Sequence, residues 1–405
     1  MSVSLHDRYA RQRLIPDWDQ DLLAASTAVI VGVGALGNEV AKNLALAGVG
    51  RLILCDPDTV AASNLSRAVL LGPGDVGQPK VAAAATALAR LAPEVTVETR
   101  QAELVTGVGL GELADAGVVL GCLDSRRARL RLLGRTALVG APLVDGGTFA
   151  WGGEIRLRVD PTEACYGCSL TPHQRGASDL PWSCAEIRPD GPQPASIVPT
   201  SIVAGWMALA ALRLLFAGPP EYRMLRIDGA TGHTAPVALT RDADCPHHRP
   251  LDGPVHPLPV DHRATVGDLL DALPAGAEPF TWAAFPVPGQ CHHCGETYDH
   301  GAAQPGAQGE PEQPEQPGQQ GEPGRCRRCG RAVRVRRGER LRDADPGLRL
   351  HGLGVAPGEI LAVQLPRPLA ASDEEAFQGS FQWHRLASTG DTGRILASQS
   401  IFRAL

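Results

Sequence analysis

The segment Val31-Gly32-Val33-Gly34-Ala35-Leu36-Gly37 leaves few folds open, because it sits where a β-branched run, Ala28–Val31, passes into a helical stretch, Asn38–Ala47. In such a Gly-x-Gly-x-x-Gly turn the first glycine permits the tight bend. The second lets backbone approach a phosphate, and the third lets the helix pack on the strand. The free N–H groups and the dipole at the helix start then favour an anion. Asp56 lies 19 residues after Gly37, at the end of the next strand, Arg51–Cys55, where a carboxylate suits a ribose hydroxyl. Gly32, Gly34, Ala35, Gly37 and Asp56 are therefore expected to contact a nucleotide. The competing reading is a glycine turn that serves packing alone.

The surroundings fit that turn. Residues 27–160 alternate between short β-branched runs and Ala/Leu-rich stretches, with a helix at Lys80–Leu91 and strands at Val95–Glu98, Val118–Cys122 and Leu143–Asp145. Strict alternation predicts βαβ units, hence an α/β fold with a doubly wound, Rossmann-like sheet. Period-2 alternation in Glu154–Val159, Met224–Ile227 and Pro236–Leu239 continues the sheet with antiparallel strands. Ile197–Phe216 reads as a long apolar helix for the core or a subunit interface.

With 405 residues and 43% hydrophobic content, the chain has room for about two or three domains and a sizeable core. Its composition changes near residue 250. His, Pro and Gly dominate 251–290, expected as a linker. Residues 301–324 form a Gln/Glu/Pro/Gly run without aromatic or β-branched residues, which cannot bury enough apolar surface to order. Nine arginines fall within Arg325–Arg342, and 350–405 is a tail without clear periodicity. The expected division is 1–250, 251–290, 291–349 and 350–405. Met1–Gln20 is polar and no apolar stretch reaches ~18 residues unbroken, so neither signal peptide nor membrane span is expected and the protein reads as cytoplasmic.

A nicotinamide enzyme needs little beyond the glycine turn, but here more follows. Asp56-Pro57-Asp58 is succeeded by Ser63-Asn64-Leu65-Ser66-Arg67 and Gly77-Gln78-Pro79-Lys80, and Lys42 and Lys80 are the chain's two lysines. Arg67 and Lys80 carry positive charge toward the phosphate region, as a reacting triphosphate requires. Together with Arg8-Tyr9-Ala10-Arg11-Gln12 and Cys122-Leu123-Asp124-Ser125, these motifs resemble the ThiF/MoeB/HesA family, bacterial relatives of ubiquitin-activating enzymes. The resemblance spans roughly residues 5–250. It implies adenylation of the C-terminal carboxylate of a ubiquitin-like or sulfur-carrier protein ending in Gly-Gly, with ATP and Mg²⁺, by a homodimer. It further implies that Asp56 holds the ribose, Asn64, Arg67 and Lys80 the triphosphate, and Asp124 the Mg²⁺ near the α-phosphate, with Asp58 and Ser125 also among the cofactor-binding residues. Arg11 is expected to reach the partner subunit's nucleotide.

Six of the ten cysteines form three C-x-x-C pairs, a spacing that reads as metal ligation in a reducing compartment. Cys165 and Cys168 are expected to bind Zn²⁺ with Cys245 and His248, or with His247 as the alternative. Family members usually offer a second C-x-x-C there. Cys291, Cys294, Cys326 and Cys329 are expected to form a second, closed, structural Zn²⁺ site in a zinc-ribbon-like domain. Cys55 and Cys122 read as small core residues. Cys184 lies in a Ser-Cys-x-Glu setting where the family can form a thioester or persulfide-linked intermediate. Here, however, Ile187–Pro194 is inserted where the family continues Ala-Gly-Val.

Other readings stay open. Within the resemblance, the substrate could be a small peptide or a tRNA-linked threonylcarbamoyl group cyclised by dehydration, with the Arg cluster meeting nucleic acid. The net charge of −6 gives no global support to that contact. An NAD-dependent oxidoreductase is disfavoured by Asn64, Arg67 and Lys80, and a non-catalytic scaffold by the filled ATP-site positions.

Overall fold

The computed structural model describes residues 7–176, 196–298, 324–326, 328–333, 336–366 and 381–388. They fall into two units, Met1–Asp252 and Gly253–Leu405.

In the first unit, α1 (Gln20–Ala25) is capped by Asp19, whose carboxylate accepts from the N–H groups of Asp21 and Leu22. Then follow β1 (Thr27–Val31), α2 (Ala35–Ala47), β2 (Arg51–Cys55), α3 (Lys80–Leu91) and β3 (Thr96–Arg100). Two short helices, α4 (Leu104–Gly107) and α5 (Leu110–Asp115), lead to β4 (Val118–Gly121), α6 (Arg126–Val139), β5 (Leu143–Phe149) and β6 (Gly152–Arg158). A short α7 (Pro172–Gly176), the long α8 (Ile197–Phe216), β7 (Met224–Asp228) and β8 (His233–Pro236) complete it.

The sheet order is β3-β2-β1-β4-β5-β6-β7-β8. Its first five members pair in parallel, and β5 to β8 pair antiparallel. This is the doubly wound α/β sheet that the alternation predicts, with its antiparallel extension. Parallel strands covered on both faces must be apolar throughout, not alternately. The β1 and β4 sequences meet that condition, with Ala28–Ile30 and Val118–Leu120 fully buried. Chain order reverses between β1 and β4, so the loops after these two strands flank the topological switch point.

Two details depart from expectation. β8 occupies His233–Pro236 instead of 236–239. Helix α6 has no counterpart in the sequence reading, because its five arginines among Leu and Ala obscure the apolar face. By length and composition α8 could cross a membrane, the only such helix among the described residues. Its Val203, Ala204, Met207 and Ala211 are fully buried in the core against α2 and β5, whereas Val198, Ile202 and Leu209 are exposed.

The second unit corrects the expected linker and tail. Residues 251–290 carry β9 (Val255–Pro257), α9 (Val266–Asp271), β10 (Glu278–Val287) and β11 (Gly289–Gln290). β12 (Thr297–Tyr298), β13 (Gly324–Arg325), β14 (Ala332–Val333), β15 (Arg336–Arg340), β16 (Ile360–Gln364) and β17 (Phe381–Arg385) follow. Five of these strands form one sheet, ordered β15-β10-β16-β17-β9, so the supposed linker and tail share a core that includes Val266, Leu269, Leu341, Leu361, Val363 and Leu386. Local composition concealed this because β9 is three residues long and pairs with a strand more than a hundred residues away. The ribbon cysteines sit on two small hairpins, β11–β12 and β13–β14, within this unit. Positions 301–323 of the low-complexity run lie outside the described residues.

Candidate functional site

The three glycines of the turn meet different surroundings. Gly32 has φ +91°, and a Cβ there would lie 2.3 Å from the Cys122 carbonyl oxygen. A Cβ on Gly37 would lie 1.9 Å from the Gly32 oxygen, so both positions demand glycine for the fold itself. Gly34, the N-cap of α2, differs, since a Cβ there meets nothing within 4 Å. That open side is where an anion fits against the helix start. Gly37→Ala is accordingly expected to destabilise the protein. Gly34→Ala should leave the melting temperature near wild type but weaken ATP binding, as thermal unfolding and ATP titration would show. Undiminished ATP affinity in Gly34→Ala counts against the turn as the nucleotide cradle.

Asp56, 6% exposed, is pinned to this turn. Its Oδ2 accepts the Val33 N–H at 2.6 Å and its Oδ1 the Asp58 N–H at 2.9 Å. Burial pushes its carboxyl pKa upward, opposed by the Lys80 charge and these two N–H groups. Lys80, the first residue of α3, is buried with Nζ 2.6 Å from Asp58 Oδ2 and 3.9 Å from Asp56 Oδ1. Asp58, expected at the nucleotide, is thus seen holding the lysine. Lys42, by contrast, pairs with Glu39 on α2, and Glu39 accepts from Ser201 of α8 at 2.9 Å.

Asn64 and Arg67 lie on the neighbouring loop. Asn64 Oδ1 accepts the Ala61 N–H at 2.9 Å, and Arg67 Nη1 donates to the Ser63 carbonyl at 2.8 Å. Asn38, which sequence reasoning missed, joins this loop to the glycine turn. Its fully buried amide donates to the carbonyls of Val33 (2.8 Å) and Gly34 (3.0 Å), and its Oδ1 accepts the Leu70 N–H at 3.0 Å. An amide on an otherwise apolar face of α2 was the available signal.

Asp124 is exposed just beyond β4, across the switch point from the glycine turn. Ser125 caps α6, its hydroxyl accepting the Ala128 N–H at 3.1 Å, which gives it a structural task at the expected site. Arg129, also unforeseen, holds the loop. One guanidinium nitrogen donates to both Asp145 oxygens (2.8 and 2.7 Å) and to the Gly146 carbonyl, and the other donates to the Leu123 carbonyl. Arg11 is exposed on an N-terminal arm that Arg8 fastens to Glu94 at 3.0 Å. Cys55 and Cys122 lie beside the turn as weakly acidic thiols. Burial pushes Cys55 up to about 12 and raises Cys122 further, so neither is a nucleophile at neutral pH. Cys184 lies outside the described residues.

The first cysteine set converges from two short 3-10 turns, Tyr166–Ser169 and Pro246–His248, each opened by a cysteine. Cys165 Sγ lies 3.7 Å from Cys168 Sγ and 3.8 Å from Cys245 Sγ, and His248 Nε2 lies 3.4 Å from Cys165 Sγ and 3.0 Å from Cys168 Sγ. A tetrahedral Zn²⁺ with Zn–S bonds of about 2.3 Å requires S···S edges of about 3.8 Å, so the donor set fits zinc. His248 Nδ1 faces the Pro161 carbonyl at 2.8 Å, which leaves Nε2 for the metal. His247 is outside the cluster and packs beside Gly134 of α6, its pKa pushed down to about 4 chiefly by burial.

The second set repeats the geometry with four thiols. Cys291–Cys329 and Cys294–Cys326 sulfur distances are 3.7 and 3.6 Å. Each knuckle turns on a glycine after its second cysteine, Gly295 and Gly330, at φ +72° and +67°.

An open glycine turn, a buried strand-end carboxylate hydrogen-bonded to it and a buried lysine at the switch point of a doubly wound sheet are the features of a nucleotide-binding α/β protein. More narrowly, the family model described as ThiF family matches residues 6–247, and the chain belongs to that family. The sulfur carrier protein ThiS adenylyltransferase of Escherichia coli (strain K12) is 31% identical over 245 residues, covering 59% of this chain and 93% of that protein. The molybdopterin-synthase adenylyltransferase of Salmonella typhimurium is 30% identical, covering 59% and 94%. The adenylyltransferase and sulfurtransferase MOCS3 of Bos taurus is 34% identical, covering 65% of this chain and 55% of that one. Among solved structures, E. coli MccB superposes with a TM-score of 0.51 over 62% of this chain and 76% of that one, at 21% identity, a likeness of fold. The relatives named here are adenylyltransferases.

Proposed function

We propose that this chain adenylates the C-terminal carboxylate of a small carrier protein ending in Gly-Gly, consuming ATP and releasing pyrophosphate. The observation that carries the reading is the juxtaposition of Gly34's open side with Asp56 and the buried Lys80. Asp56 keeps acceptor capacity for a ribose hydroxyl, since each carboxylate oxygen has two lone-pair sites and each takes one backbone N–H. Lys80 is held by Asp58 and Asp56 and, with Arg67 and the amide of Asn64, supplies positive and hydrogen-bonding character for the triphosphate. Asp124 is exposed and suited to hold Mg²⁺, which when bound would neutralise phosphate charge. The substrate carboxylate is already ionised, so the protein needs to align it with the α-phosphorus and stabilise the leaving pyrophosphate. No general base is required.

Arg11 acts across a homodimer in this reading. The exposed stripe of Val198, Ile202 and Leu209 on α8 offers apolar surface for such an interface. A thioester at Cys184 would be a later step. The two cysteine sets hold structural Zn²⁺, and the free thiols suit a reducing cytoplasm.

ATP–pyrophosphate exchange with purified protein, magnesium and candidate carriers tests the proposal. Exchange is expected to depend on one carrier and on its terminal glycine. ATP binding without exchange for any Gly-Gly carrier would move the substrate to peptides or tRNA, and failure to bind ATP would overturn the enzyme reading.

A further inference from the structure

Arg158, the last residue of β6, is among the largest fully buried side chains, and all three guanidinium nitrogens are buried without a hydrogen-bond partner among the described residues. A guanidinium stays ionised in proteins, and an uncompensated buried charge is strongly unfavourable. None of the acids around it is hydrogen-bonded to it, and exposed Asp160 attracts it only through space. Asp145 is held by Arg129 and Arg156, and Glu154 is also paired with Arg156. Glu163 pairs with Arg223 at 2.6 Å, and Asp160 is exposed with its Oδ1 taking the Thr162 N–H and hydroxyl.

What remains is the metal knuckle. Arg158 lines a small cavity with Asp145, Arg156 and Tyr166, the last directly after Cys165. Neutral thiols give a cation nothing, but zinc binding ionises them. Three thiolates and one neutral imidazole around Zn²⁺ carry a single net negative charge, and four thiolates would carry two. His248 in the fourth place therefore leaves one negative charge; Arg175, which donates to the Gly167 carbonyl at 2.8 Å, is already paired with Asp242, so Arg158 is the guanidinium left to match it.

We propose that Arg158 is the internal counter-cation of a zinc ion held by Cys165, Cys168, Cys245 and His248, so that metal binding and burial of this arginine stabilise each other. The inference does not depend on the adenylation reading. It predicts effects of opposite sign. Arg158→Met removes a buried charge that without metal has only the exposed Asp160 to offset it, so the metal-free variant is expected to melt above metal-free wild type. In the loaded protein the same change removes the counter-charge, and affinity at this site is expected to fall about tenfold to hundredfold.

Chelator competition on full-length protein loaded with cobalt(II) reads the affinity. The different spectra of three-thiolate and four-thiolate sites separate this centre from the Cys291/Cys294/Cys326/Cys329 set. Unchanged affinity, or equal loss of stability with and without metal, overturns the proposal and leaves Arg158 a packing residue. Should the Met variant fail to fold, Arg158→Lys and Arg158→Gln differ chiefly in charge. Lysine is expected to retain the metal more tightly than glutamine, and equal retention overturns the proposal as well.

Discussion

Asp124→Ala is expected to reduce carrier-dependent ATP–pyrophosphate exchange by roughly 10²–10³-fold while the melting temperature stays near wild type. The two halves of this expectation come from different observations. Asp124 is exposed at the end of a strand, so truncating it removes little buried contact. In the proposed adenylation, its position across the switch point from the open glycine turn brings its carboxylate toward the phosphates on which charge develops. Carrier-dependent exchange and thermal unfolding on the same preparation check both. Activity that survives the substitution would remove Asp124 from the site. A large fall in stability would mean that its role is structural.

Arg129→Met is expected to lower both quantities, with a stability loss of about 3 kcal/mol or more in denaturant titration. Arg129 is 4% exposed and bridges Asp145, Gly146 and Leu123. Its removal leaves Asp145 buried with only the longer contact to Arg156, at 3.4 Å. Removing one member of a buried pair costs far more than the pair contributes net, because the remaining charge is stranded. Activity should fall further than stability explains, since Leu123 immediately precedes Asp124. Arg129→Lys keeps the charge but not the planar fork, and is expected to recover only part of either loss. A Met variant as stable as wild type would show that water or Arg156 satisfies Asp145, contrary to the burial seen here.

The residues of the candidate site are largely legible in the sequence because their signals are local. The glycine spacing, the strand-end Asp56 and the lysine opening an Ala-rich helix all declare themselves within a few residues, and hydrogen bonds join Asp56, Asp58 and Lys80 to the turn. The residues that hold this machinery in place were not legible. Asn38 and Arg129 are unremarkable letters in a helix, and their meaning comes from carbonyls and carboxylates brought to them by other segments. Ser125, expected at the cofactor, caps α6 with its hydroxyl, a contact that only the fold reveals.

By itself the sequence determined the doubly wound sheet, the glycine turn at its first crossover and the cysteines suited to metal. Strand and helix periodicity, φ-permissive glycines and C-x-x-C spacing act over a handful of neighbouring residues. Only the tertiary structure decided that His248 and not His247 joins Cys165, Cys168 and Cys245, that β9 closes a sheet with β17, and that Arg158 is buried. Each of those outcomes depends on which distant segments meet, and burial turns an ordinary charge or ring nitrogen into one that must find its partner.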